Sequence, residues 1–245
     1  MSRVHLTVAL TGILLLSACS GGGDATGTTS EPPVAPSTPA ATSPSPTATT
    51  IGCAPGGDGV PATAQAITTI DLDGDGADDQ LWIDDDDGAA RTLGVTTASG
   101  ATFTHPIDLA GPAGASAFAL RPAAADPALV LLSDNRVADL LMVQDCGLVD
   151  VTDAEGKPWQ FDQGFAGNGT GVGCVDITGD GEPDLVGLND VDGSITRTQI
   201  TLTGTVAAAG TTDTVTGGQD AADTAHAITC GTRTMQADGV HEAAA

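Results

Sequence analysis

Along most of the chain, apolar residues fall in short runs separated by polar turn residues. Leu81-Trp82-Ile83, Leu129 to Leu132, Val137 to Val143, Leu185 to Leu188 and Ile195 to Val206 are such runs, with clusters of Asp, Asn and Gly between them. Short β-branched or apolar runs bounded by turn chemistry predict strands, and stretches with helical period and caps are hard to find. The expected fold class is all-β. One run differs: Leu6 to Leu16, interrupted only by Thr7, Thr11 and Gly12, has the length of a leader core and is too short to span a bilayer stably.

The turns carry the chemistry. Asp71-Leu72-Asp73-Gly74-Asp75-Gly76-Ala77-Asp78-Asp79 precedes Leu81-Trp82-Ile83 and a second acidic turn, Asp84 to Gly88. A shift of 105 residues brings it onto Asp176-Ile177-Thr178-Gly179-Asp180-Gly181-Glu182-Pro183-Asp184, then Leu185 to Leu188, then Asn189 to Gly193. Asp71, Gly74, Asp75, Gly76, Asp79, Asp85, Asp87 and Gly88 all meet identical residues in the second copy. A degraded third copy, Asp126 to Leu132 followed by Ser133-Asp134-Asn135, would have Phe118 and Pro122 at its first and fifth loop positions. It should keep the strands and bind no metal.

Calcium takes six to eight hard oxygen ligands from a loop that folds tightly around it. The first loop offers the side chains of Asp71, Asp73, Asp75 and Asp79 and the carbonyl of Ala77; the second offers Asp176, Thr178, Asp180 and Asp184 and the carbonyl of Glu182. Two structural Ca2+ ions are expected, the second bound more weakly for want of one carboxylate. An EF-hand shares the opening but needs a Glu at position twelve and flanking helices; Trp82 and Gly187 stand there, in predicted strands.

These loops and the strands after them resemble the FG-GAP and VCBS repeat proteins, of the integrin α-chain type. The resemblance implies β-propeller-like blades of about fifty residues each, structural calcium, and display or adhesion rather than catalysis. The chain has room for about four short blades, as a closed propeller or an open, partial one. The Phe-Gly-Gly-Ala-Pro signature is absent.

At the amino end, the run to Leu16 continues as Ser17-Ala18-Cys19, which resembles the lipobox of bacterial lipoproteins. That implies a signal peptide over 1–18, diacylglycerol on Cys19, and a membrane partner engaged through the lipid at the outer face of the cell membrane. Residues 19–50, rich in Gly, Ser, Thr, Pro and Ala, cannot bury enough surface to offset the entropy of ordering them. They form a tether with an average reach of about 30 Å. The β-repeat domain is expected over 51–238, with 239–245 a disordered tail.

The net charge of -25 and the single lysine, Lys157, exclude nucleic acid, since phosphate recognition needs clustered cations. Such an excess of carboxylates repels itself unless cations neutralise part of it. The expected partner is a surface protein or glycan. An extracellular envelope hydrolase using an acidic cluster is the alternative, but sugar-stacking aromatics are few: Trp82 reads as core, and Trp159 as either an exposed contact or a core anchor. His105, His226 and His241 stand in no nucleophile motif, so no catalytic residue is assigned. Gly167 to Gly173 reads as a flexible turn. Cys53, Cys146, Cys174 and Cys230 suit two disulfides in an exported chain, with three pairings open. Cys146 with Cys174 and Cys53 with Cys230 is favoured, the latter tying the domain's ends.

Overall fold

The computed structural model describes residues 52–85, 91–109 and 114–243. The leader, Cys19, the tether and the acidic turn at 86–88 lie outside them. The predicted runs become strands that pair antiparallel with their chain neighbours, in three meanders of four. The first joins β1 (Gln65–Thr68), β2 (Gln80–Asp84), β3 (Thr92–Thr96) and β4 (Thr102–Pro106). The second joins β5 (Ser116–Leu120), β6 (Leu129–Ser133), β7 (Val137–Gln144) and β8 (Gly147–Asp150), with β9 (Gln160–Asp162) also paired to β7. The third joins β10 (Gly171–Val175), β11 (Asp184–Val191), β12 (Ser194–Thr203) and β13 (Val206–Thr216). The class is all-β, as expected. Two short helices, α1 (Gln219–Ala225) and α2 (Met235–Asp238), flank the small hairpin of β14 (Thr229–Cys230) and β15 (Arg233–Thr234), and β16 (Val240–His241) follows.

The middle sheet is covered on both faces. Side chains alternate along a strand, and here the alternation divides the core in two. Ala117, Ala119, Val130, Leu132 and Leu141 pack with Leu81, Ile83, Leu93 and Val95 of the first sheet. Phe118, Leu120, Leu129, Leu131, Leu140 and Met142 pack with Phe161, Val172, Leu185 and Ile200. This is why β5 and β6 read as nearly unbroken apolar runs, whereas β13, largely exposed, is mostly Thr, Ala and Gly.

Tight packing also fixes one glycine. Gly94 faces Trp82 across the β2–β3 ladder, and a Cβ there would lie 2.0 Å from the indole. Trp82 is 2% exposed and donates its indole N–H to Thr96 at 3.1 Å; the core reading of Trp82 holds.

Three expectations are corrected. Directly after Gly239 the chain forms a strand: Val240 pairs with Ala117 and His241 with Ser116, because an edge strand of the middle sheet offers unmet backbone partners. The disulfides are Cys53–Cys146 and Cys174–Cys230. Cys146 lies in the β7–β8 turn and meets the segment entering at Gly52, while Cys174 lies on β10 and meets β14. Closeness in sequence did not report which sheet each cysteine belongs to. Gly171 to Gly173, expected as part of a flexible turn, is buried strand β10.

Candidate metal centre

Both acidic loops join the first and second strands of a meander, and they are built by the same hydrogen bonds. In the first, Asp71 accepts the N–H groups of Gly74 at 2.7 Å and Gly76 at 2.9 Å, Asp75 accepts that of Ala77 at 2.8 Å, and Asp79 accepts that of Leu72 at 2.7 Å. In the second, Asp176 accepts from Gly179 at 2.6 Å and Gly181 at 3.0 Å, Asp180 from Glu182 at 2.9 Å, and Asp184 from Ile177 at 3.1 Å. Each bond maps onto its counterpart 105 residues on. The turns need left-handed backbone, which glycine adopts without penalty: φ is +82° and +88° at Gly74 and Gly76, and +77° and +95° at Gly179 and Gly181.

The loops differ in what they gather. Carboxylate oxygens of Asp71, Asp73 and Asp79 lie within 4.8 Å of one another; Asp75 is not part of that group. Among the described residues the second loop forms no comparable trio. There the Thr178 hydroxyl donates to Asp184 at 3.3 Å, and the Gln199 amide donates to the other oxygen of Asp184 at 2.7 Å.

Asp79 is 0% exposed. Burial pushes its carboxyl above the ordinary range, against the N–H groups of Leu72 and Ala98 that favour the charged form, and the charges of Asp73 and Asp71 push it further the same way. Three carboxylates held this close, one of them buried, fit a cation that would neutralise them. A donor set made only of oxygen suits a hard divalent ion rather than zinc or copper. Asp71, Asp73 and Asp79 would hold it, and the ion would supply charge neutralisation and loop closure.

Sequence reasoning missed what braces this loop. Cys53 donates its N–H to Asp73 at 2.8 Å, and a Cβ on Gly52 would fall 2.6 Å from that of Asp75. The segment entering the domain therefore lies against the loop and is bridged to Cys146. Arg121, from the degraded copy, donates to the Asp71 carbonyl at 2.9 Å. In that copy Phe118 is buried within β5, and Asp126 accepts the N–H of Ala123 at 3.0 Å.

The described turns after β6 and β11 carry bonds within themselves. Asp190 accepts the Gly193 N–H at 2.9 Å, and Asp134 accepts those of Arg136 and Val137 at 2.9 and 3.1 Å. Each described histidine has a partner far away in sequence: His105 meets Asp150 at 3.2 Å, His226 meets Asp190 at 3.3 Å, and His241 Nδ1 meets the Ser116 hydroxyl at 2.7 Å. The last pair has no third member, because His241 Nε2 is buried without a hydrogen-bond partner. No helix among the described residues is long and apolar enough to cross a membrane. Comparison with protein-family models, curated proteins and solved structures gives no match to this chain.

Proposed function

We propose that the chain is an exported, lipid-anchored surface lipoprotein whose β-repeat domain is braced by calcium and serves binding or adhesion rather than catalysis. One observation carries the reading. Two loops 105 residues apart in sequence repeat the same bonds at the same positions, and the one with the full set of carboxylates turns Asp71, Asp73 and Asp79 toward one point. Self-repelling carboxylates around a buried Asp79 are costly without a counter-ion.

In this reading each four-stranded meander is one propeller-like blade with its loop between the first and second strands. There are then three blades rather than about four, in an open array. The middle blade has lost its metal ligands and kept its strands. The lipobox-like Leu16-Ser17-Ala18-Cys19 supports attachment at the outer face of the membrane, with the Pro-rich segment as spacer.

Thermal unfolding of the purified chain, in millimolar calcium and in chelator, tests the metal. A ligand at a hundredfold excess over its Kd stabilises the folded state by about 2.7 kcal/mol, a rise of roughly 5–10 °C for a domain of this size. The rise should vanish in Asp71→Ala and Asp73→Ala and shrink only partly in Asp180→Ala. An identical melting temperature in calcium, magnesium and chelator would overturn the metal reading.

A further inference from the structure

One cleft lies away from both acidic loops, and its lining selects a ligand class. It has a volume of about 650 Å³ and is formed where Trp159, Gln160 and Phe161 face strands β11 and β12 of the third sheet. That volume falls within the range of about 300–1,000 Å³ common to small-molecule sites. Gly187, on the β11 floor, lies beside Phe161: a Cβ there would be 3.5 Å from the ring, an ordinary contact distance.

The polar groups in the cleft are mostly neutral and several have no protein partner. Asn189 and Thr196 are cross-strand neighbours, both half-buried, and neither side chain has a hydrogen-bond partner among the described residues. The Trp159 indole nitrogen is likewise buried and unpartnered. The Gln160 amide nitrogen donates to Asp139 at 2.7 Å, which leaves its carbonyl oxygen to accept. Of the carboxylates in the lining, Asp162 is committed to its own turn, accepting the N–H groups of Phe165, Ala166 and Asn168. Burial tends to raise its carboxyl, but those bonds outweigh burial and hold it below the ordinary range. Asp153 likewise accepts from Glu155 and Lys157 in its own turn.

Amide and hydroxyl groups both donate and accept, and beside an indole they match a ligand with hydroxyls on its edge and an apolar C–H face. An anion would meet only Lys157 in the cleft and a strongly negative molecule around it; a cation would find both oxygens of Asp162 and one of Asp153 already accepting backbone N–H groups. We propose that this cleft binds a neutral saccharide, with Trp159 as the apolar wall and Asn189, Thr196 and Gln160 as hydroxyl partners. This deepens the display reading by naming the class of its partner, and it does not depend on the metal.

The chain has two tryptophans, of which Trp82 is sealed in the first sheet, so a sugar-dependent change in emission reports on Trp159. The purified chain is titrated, in calcium and in chelator, with maltotetraose, cellotetraose and mannotetraose, and with tetragalacturonate as the anionic comparator. At least one neutral tetrasaccharide should shift the emission. The shift should be lost in Trp159→Phe, kept in Trp82→Phe, and need about tenfold more sugar in Asn189→Ala and in Thr196→Ala. The melting temperature of each variant is read alongside. The proposal is overturned if no neutral tetrasaccharide perturbs the emission at about 10 mM, if tetragalacturonate binds more tightly, or if the folded Asn189→Ala and Thr196→Ala variants bind as well as the parent. A normal calcium response without sugar binding overturns this inference alone, whereas sugar binding without a calcium response overturns only the metal reading.

Discussion

Asp79 is where the metal-loop argument is sharpest. It sits beneath the other two acids, fully buried, with both oxygens already accepting backbone N–H groups. Its carboxyl is raised by burial and then by like charge, so in the metal-free protein the folded state holds its proton more tightly than the unfolded chain does. A raised folded-state value for an acid means that its contribution falls as pH rises above the unfolded value of about 3.8. The chelated protein should therefore lose stability from that pH upward, and calcium, which favours the ionised form, should reverse the trend. Urea midpoints measured between pH 4 and pH 7, with and without calcium, check the crossing; parallel curves would count against it. The Asp79→Asn variant should cost about 1–3 kcal/mol in either condition, because an amide retains only one acceptor for two N–H groups.

The strands and loops show where local sequence suffices. Positions of the acidic loops, the strands that follow and the loss of ligands in the middle copy could all be read in advance, because turn chemistry and side-chain alternation act over a few residues. Trp82 could be placed in the core because it lies in an apolar run. Trp159 could not be placed: its neighbourhood is made by β11 and β12, strands 25 or more residues further on. The same limit hid the Ser116–His241 contact, which spans 125 residues, and the role of Cys53 against Asp73. At Gly94 the local and distant requirements meet, since the ladder places it opposite an indole that leaves no room for a methyl group. Gly94→Ala should destabilise by about 2–3 kcal/mol through overpacking. The urea midpoint and the near-ultraviolet circular dichroism of Trp82 would both move; an unchanged midpoint would mean the β2–β3 pair can part more easily than its contacts indicate.

Across the whole domain, two segments outside the meanders tie the sheets together. The entering segment docks on the first acidic loop and is bridged to the middle sheet. The final segment is bridged to the third sheet, pairs with the middle one, and through Arg233 donates to the Ala119 carbonyl and to the Thr69 hydroxyl. With sequence separations of 93 and 56, loss of either bridge should cost about 4–5 kcal/mol by chain entropy. The two losses should differ in their effect on metal. Cys53→Ala with Cys146→Ala should also weaken calcium affinity, since the N–H that orients Asp73 comes from residue 53, whereas Cys174→Ala with Cys230→Ala should leave affinity at the first loop unchanged. Calcium titration of the two double variants separates these outcomes.

The pairing of the bridges has a mechanical consequence. Tension applied to the chain from its amino end enters at Cys53 and crosses the sulfur atoms directly to Cys146, so strands β1 to β7 carry none of it. The second bridge shields β11 to β13 in the same way. Both acidic loops, 71–79 and 176–184, lie inside these covalent detours, and pulling cannot draw them open while the bridges stand. In an optical trap the stretched oxidised chain should be shorter than the reduced one by about 310–330 Å for the separation of 93 residues alone. Under such tension both acidic loops would stay folded, and yielding would fall on the segments outside the bridges, between Cys146 and Cys174 and beyond Cys230.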